Sequence, residues 1–513
     1  MGSTPLASTN LSTQVFDFPA KGSMEKVQPT LSKGLRDLLP VEMIARQAML
    51  ETIKNVYELY GFVPLSTPAI EYLHVLSGSA GQEAQQSIFR VQGPEHESLG
   101  LRFDLTVPLA RVVAQYGDLP KPFRRYQVAA VWRADKPGPG RFREFTQVDL
   151  DSVGVAPEIA DTEIIAAMCD TLDALKVGAY RVRFSSRRVL NLLMPFAGID
   201  PSRAADVFRV LDKLEKIGIE KVRLELTSGY RDESGDTIPG LNLTGEQVDR
   251  IERFLAIRGD RRDDILAGLR EVLGAVPTAT GAIDELANIS RHLRALGYHE
   301  DRTVLDLSIA RGLAYYTGPV FEAVLVDAPE FGSIFGGGRY DDLVMRFLGE
   351  RVPATGASIG VDRLLAALTK LGRVESRRAT AKVLVTAIDE SLTDDYFQMT
   401  FELRRAGIPT ELYLGSERGV GKQLKHADRA GIPIALLYGA DEKARGVVTL
   451  KDMASGRQRS EALKGREQWR QERPGQIELP RTDLVTGIRT MIVSIEEPRV
   501  GGGTETDNRP SQT

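Results

Sequence analysis

A single cysteine, Cys169, stands in a chain of 513 residues. One thiol excludes an internal disulfide framework and any thiolate zinc site. It follows the apolar run Ile164-Ile165-Ala166-Ala167-Met168, which predicts a small buried core residue. Histidine is also scarce. His74, His96, His292, His299 and His426 have no metal-ligand spacing to one another, so no metal site is expected. No apolar run approaches the roughly 20 residues of a membrane span. The first 23 residues lack the charged-then-apolar order of a signal peptide. No membrane partner and a reducing, cytoplasmic setting are therefore expected. Charge is nearly balanced, 66 Lys and Arg against 70 Asp and Glu, a formal net charge of −4. That excludes a globally basic nucleic-acid coat and leaves a local basic site open. No internal repeat is present.

What is there reads as a multidomain α/β protein. Residues 1–30 are rich in Ser, Thr, Gln and Pro without a period, and predict a flexible tail, as do residues 498–513. From Val41 the apolar residues Ile44, Met49, Ile53, Val56, Tyr57 and Tyr60 recur at helical steps, and Gly61 ends the helix. Phe62-Val63-Pro64-Leu65 then reads as extended chain. Residues 123–154 predict two strands joined by the turn Lys136-Pro137-Gly138-Pro139-Gly140. Residues 190–296 are charged and helical in pattern, broken by the polar stretch 229–236, and predict a helical insertion. Strand-like segments return at 303–309 and 320–326. After a charged linker, strands at 382–387, 411–414 and 434–438 alternate with helices at 392–406 and 421–430. That alternation predicts a separate α/β domain over 381–497.

Four segments can carry chemistry. In Arg102-Phe103-Asp104-Leu105-Thr106-Val107-Pro108, Asp104 or Thr106 can cap the apolar helix that follows, or hold an ammonium group at a pocket edge. The hairpin region gathers Lys121, Arg124, Arg125, Arg133, Lys136, Arg141 and Arg143. A solvated cationic hairpin is the plain reading. Strand period, however, places Arg143, Gln147, Asp149 and Asp151 on one face and Val148 and Leu150 on the other, as in the floor of a polar site. Arginines also suit phosphates through planar, bidentate contacts. The third segment, Arg311-Gly312-Leu313-Ala314-Tyr315-Tyr316-Thr317-Gly318, is either packing or a binding loop. The fourth pairs Gly336-Gly337-Gly338-Arg339-Tyr340 with Gly356-Ala357-Ser358-Ile359-Gly360-Val361-Asp362-Arg363-Leu364. It reads as a strand running into a helix, with Arg363 in the first turn. No Gly-Lys-Ser/Thr follows the triple glycine, which excludes a Walker loop.

The order of these segments resembles the histidyl-tRNA synthetases, class II aminoacyl-tRNA synthetases, over residues 31–497. Gly34-Leu35-Arg36-Asp37 resembles the family's opening segment. Residues 60–68 resemble class II motif 1, the Arg133 to Phe145 hairpin motif 2, and Gly356 to Leu364 motif 3. Arg311-Gly312-Leu313-Ala314-Tyr315-Tyr316 resembles the histidine-specific motif, with Ala314 where the family usually has Asp. Gly421-Lys422-Gln423-Leu424-Lys425-His426 and Val448-Thr449-Leu450-Lys451-Asp452 resemble the family's anticodon-binding domain.

The resemblance implies a catalytic domain of α+β type over 31–375, an antiparallel sheet flanked by helices, with the insertion at about 190–296. The C-terminal α/β domain would bind the anticodon. It implies activation of L-histidine with ATP, accompanied by Mg²⁺, to histidyl-adenylate and pyrophosphate, then transfer to the 3′ end of tRNA(His) by a cytoplasmic homodimer. Arg133 would hold the α-phosphate and Arg363 the γ-phosphate side of ATP, with Arg141 orienting the substrate pair. Asp104, Thr106 and Gln147 would receive the α-amino group. Asp151 and Tyr315 would contact the imidazole, Tyr316 would close the pocket, and Arg311 would bridge the carboxylate and the α-phosphate. A regulatory paralogue in the family typically lacks the anticodon-binding domain and parts of both substrate sites; residues 381–497 and the site residues weigh against it here.

Overall fold

The computed structural model describes residues 27–77, 86–138, 140–232, 235–309, 316–374, 377–454 and 475–496. Arg311, Ala314 and Tyr315 lie outside these, as do residues 1–26 and 497–513 of the two tails.

The first helix, Pro40–Leu59, begins with proline at its first position, where a missing N–H costs nothing. It buries Ala45, Met49, Ile53, Val56 and Tyr57 on one stripe. Each fully buried large side chain there contributes about 1.5–3 kcal/mol. That stripe lies on an eight-stranded sheet, which the chain builds from β1 (Val63–Pro64), β5 (Phe123–Trp132), β6 (Glu144–Val153), β7 (Tyr180–Ser186), β10 (Thr303–Leu305), β11 (Pro319–Leu325), β12 (Ser333–Arg339) and β13 (Ala354–Gly360). Between these, β2 (Ile70–Tyr72), β3 (Arg90–Gln92) and β4 (Ser98–Leu101) form a small sheet, and β8 (Gly229–Arg231) and β9 (Thr237–Pro239) a hairpin.

The large sheet runs β1-β5-β6-β13-β12-β11-β7-β10. Its six central strands are antiparallel, as expected, while β1 on β5 and β10 on β7 are parallel. Helix Ile159–Ala174 packs beneath and buries Cys169 completely. The segment from Leu193 to Ala295 is helical but not wholly so. The polar stretch read as a break contains β8 and runs into β9, and the two strands pair. Short strands with Gly229 and Thr237 at their ends carry too few apolar residues for a period-two signal. The helices of this segment share the apolar core of the sheet, through residues such as Leu193, Phe254, Leu286 and Leu293.

After residue 377 a second sheet forms, from β14 (Val383–Val385), β15 (Thr410–Leu412), β16 (Ile434–Leu437), β17 (Val447–Asp452) and β18 (Gln476–Pro480). Its order is β15-β14-β16-β17-β18, parallel for the first three and antiparallel for the rest. The strands are shorter than the sequence pattern suggests. Val383, Val385, Leu403, Ile434, Leu436, Val448, Leu450 and Ile488 make a core of their own.

Candidate active site

A basin of about 360 Å³ opens on the face of the large sheet. Its floor is β6 and β13; its rim is the connection 133–143 and the start of helix Val361–Lys370. Asp104, Thr106, Arg133, Arg141, Gln147, Asp151, Tyr316 and Arg363 all line it, together with Asp149, Phe142, Phe145 and Tyr340. The structure thus brings together every described residue that the sequence singled out for substrate. Arg143 is the exception to the strand-period face. It precedes β6, and its side chain turns away to donate to the carbonyl of Lys33 at 3.2 Å.

The floor is acidic and dry. Gln147, Asp149 and Asp151 alternate along β6 and are 7%, 2% and 2% exposed. Opposite them across β13 stand Gly360, Ser358 and Gly356. A Cβ at Gly356 would lie 2.0 Å from Asp151 Oδ1, so only glycine leaves room for that carboxylate. Gln147 donates to Ser358 Oγ at 2.5 Å. Asp104 accepts from the N–H of Val107 at 3.2 Å, so it does cap helix Thr106–Gln115, and it also lines the basin. Capping is thus shown for this residue, and its place in the basin leaves it able to receive an ammonium group.

Burial pushes the Asp104 carboxyl up to about 6, against the pull of the Val107 N–H, Arg133 and Arg125. Burial raises Asp149 to about 7, opposed by Arg125 and assisted by the negative charge of Asp151. Asp151 is raised by burial too, opposed by Arg125 and by the hydroxyl of Tyr340, which donates to it. Asp104 Oδ2, Gln147 Oε1 and Asp149 Oδ1 are buried with no hydrogen-bond partner among the described residues. Three buried acceptors with no donor are costly, and they suit a ligand that brings N–H groups and positive charge.

In the sequence Arg125 counts only as one more cation of the hairpin. It is fully buried beside the floor, on the neighbouring strand and the same sheet face as Asp151, with Nη2 2.9 Å from Asp151 Oδ2 and 3.0 Å from the carbonyl of Leu105. Its signal was the register: in the β5–β6 ladder Arg125 stands directly opposite Asp151, and Gln127 opposite Asp149. Arg339, from the triple-glycine segment, is also structural. It is 1% exposed and binds Asp161, Asp341 and the carbonyls of Val155 and Pro157.

The rim is basic. Arg133 donates to the carbonyl of Phe103 at 2.9 Å and lies over the Phe145 ring. Arg363 donates to the carbonyl of Ser333 at 2.6 Å. Arg141 is exposed. Guanidinium groups on two separate elements facing one basin match an extended polyanion. A central antiparallel sheet with an acidic floor, an arginine-bearing hairpin and an arginine in the first turn of a strand-to-helix junction defines a class II aminoacyl-tRNA synthetase.

The histidyl-tRNA synthetase family pattern matches residues 34–364, and an anticodon binding domain pattern matches residues 382–472. The chain is 46% identical over 481 residues to a histidine–tRNA ligase of Cereibacter sphaeroides, covering 90% of this chain and 97% of the relative. A histidine–tRNA ligase of Paracoccus denitrificans is 44% identical over 480 residues, with the same two coverages. The crystal structure of histidyl-tRNA synthetase from Nostoc sp. PCC 7120 superposes with a TM-score of 0.77 at 33% identity, covering 91% of this chain and all of that one. The chain belongs to the histidyl-tRNA synthetase family.

Proposed function

We propose that the basin sorts its two substrates by charge, histidine on the carboxylate floor and ATP along the arginine rim. The activity is the ATP-dependent ligation of histidine to tRNA, the reaction of the family. The observation that carries the residue assignment is the set of unsatisfied buried acceptors, Asp104 Oδ2 and Gln147 Oε1, at the place assigned to the α-ammonium group. Thr106 completes that subsite. Asp151 and Tyr315 are assigned to the imidazole, and Tyr316 closes the pocket.

The chemistry then needs no protein base, because the histidine carboxylate is already ionised. It attacks the α-phosphorus in line, a new C–O–P bond forms, and pyrophosphate leaves. Negative charge meets negative charge in that step. Fixed cations lower its barrier without reorganising, and Arg133, Arg311 and Arg141 are assigned to supply them. Arg363 holds the far phosphates. A ribose hydroxyl of the terminal tRNA adenosine next attacks the adenylate carbonyl and AMP leaves. No group of three His, Cys, Asp or Glu side chains able to hold a metal occurs among the described residues. Mg²⁺ would accompany the ATP phosphates as part of that substrate and neutralise their charge.

The protein works as a cytoplasmic homodimer. Leu59, Val63, Ile70 and Tyr72, clustered in sequence around the motif 1 segment, are exposed and suit burial against a second copy. No helix among the described residues is long and apolar enough to cross a membrane. The second sheet receives the anticodon loop of tRNA(His). ATP–pyrophosphate exchange with each of the twenty amino acids tests the assignment. Exchange with histidine alone is expected; comparable exchange with an apolar amino acid would contradict it, since that ligand brings no imidazole N–H to Asp151.

A further inference from the structure

The opening segment Gly34-Leu35-Arg36-Asp37 carries no role in the reaction as assigned above. Its contacts are with the rim. The N–H of Arg143 donates to the carbonyl of Gly34 at 2.9 Å, and Arg143 Nη1 to that of Lys33. The guanidinium carbon of Arg36 lies 3.9 Å from the centre of the Phe142 ring, and Phe142 lines the basin. On its other side Arg36 Nη2 donates to Asp362 Oδ1 at 3.0 Å. Asp362 is the neighbour of Arg363, is 3% exposed, and accepts from the N–H of Thr146 at 2.6 Å through its second oxygen. Arg46 adds a bond to Thr146 Oγ1.

One side chain therefore touches both elements that carry the rim arginines: the connection bearing Arg133 and Arg141, and the helix bearing Arg363. The strap also fits without slack. Gly34 has φ of +85°, and a Cβ there would lie 2.9 Å from Arg143 Cγ and Cδ and from Pro137 Cγ. We propose that residues 33–36 form a strap, with Arg36 as its positioning residue, that fixes the separation of the two arginine-bearing elements and so sets the fit of ATP. This rests on the assignment of the rim to ATP. A triphosphate spans both elements, so a shift of one against the other weakens several contacts at once. Histidine is assigned to the floor, which the strap reaches only through the Asp362–Thr146 bond.

The test is steady-state pyrophosphate exchange by the full chain, with KM read separately for ATP and histidine, beside thermal melting. Arg36→Met is expected to raise the KM for ATP about tenfold and to leave that for histidine within about twofold. Arg36→Lys should recover part of the loss, since it keeps a charge for Asp362 but not the planar stack on Phe142. Gly34→Val displaces the same connection with Arg36 intact and should reproduce the ATP defect; it also serves if Arg36→Met does not fold. Arg363→Ala is the control for the reading beneath. If Arg363→Ala raises the KM for ATP and the strap variants do not, the strap proposal is overturned and the rim assignment stands. If Arg363→Ala leaves the KM for ATP unchanged, the rim assignment itself is wrong, and the strap proposal goes with it. Equal rises in both KM values with a lowered melting midpoint would make the strap merely structural and overturn the proposal.

Discussion

The floor and the rim of the basin differ in burial as well as in sign. Asp149 and Asp151 are 2% exposed, whereas Arg133 and Arg363 are half-buried and Arg141 is exposed. The floor is made by a regular ladder whose register is held by the rest of the sheet. The rim is made by a connection and by the start of a helix that packs on the core, the two joined through the strap. A buried carboxylate reads a small ligand by hydrogen bonds that cannot be replaced by water. Partly exposed arginines on two elements read a polyanion by charge and by their spacing. On the proposed assignment, specificity for the amino acid belongs to the buried floor and ATP capture to the partly exposed rim.

The largest effect should come from removing the cation that flanks the floor. Arg125→Met leaves Asp151 buried beside no cation, and breaking such a pair costs about 3–5 kcal/mol. Chemical denaturation should show this as a lower midpoint with an unchanged slope. An unmoved midpoint would mean that Asp151 is protonated in the wild type.

Asp104→Asn separates the two roles of that residue. Asparagine still accepts from the Val107 N–H, so the helix cap and the melting midpoint should hold. Losing the charge opposite an ammonium group should raise the KM for histidine by roughly ten- to a hundredfold. A wild-type KM would reduce Asp104 to a cap.

A smaller effect is expected with pH. Burial raises Asp104 to about 6 and Asp149 to about 7 in the folded chain, from an ordinary value of 3.8. Folded protein thus binds these protons more tightly than unfolded protein does. Their contribution to stability is fully present below the unfolded value and is lost as pH rises through 6 to 7. The groups facing them are Arg125, Arg133, Arg102, Asp151, Tyr57 and Tyr340. Histidine, bringing an ammonium group to the ionised floor, should release protons on binding and bind more tightly at pH 8 than at pH 6. Calorimetry in buffers of differing ionisation enthalpy measures that release; net uptake would contradict the charge on the floor.

The smallest effect belongs to the second sheet. Glu478→Gln removes the exposed pair with Arg445, 2.7 and 3.1 Å long, far from the basin in the chain. Exchange rates and the melting midpoint should not move.

Much of the floor is legible in the sequence, and the reason is periodicity. Gln147, Asp149 and Asp151 alternate with Val148 and Leu150, and a strand with one polar and one apolar face must lie between a core and an open or ligand-filled space. Arg143 departs from that face because it precedes the strand, where period two no longer governs direction. Arg125 is silent in the sequence because its meaning depends on cross-strand register, which spacing alone does not supply when the connecting loop is long. Nor does the strap show itself. Its bonds join residues 34–36 to 142–143 and to 362, and such separations leave no local pattern. The hairpin of β8 and β9 is hidden for a simpler reason, since three-residue strands are too short to show alternation.

The most direct measurement of the central claim is a crossed comparison of Asp151→Asn and Arg363→Ala in pyrophosphate exchange. The account predicts that Asp151→Asn raises the KM for histidine by about a hundredfold with little change for ATP, and that Arg363→Ala does the reverse. Parallel rises in both constants for both variants would show that floor and rim act as one unit, and would contradict the division of the basin by charge.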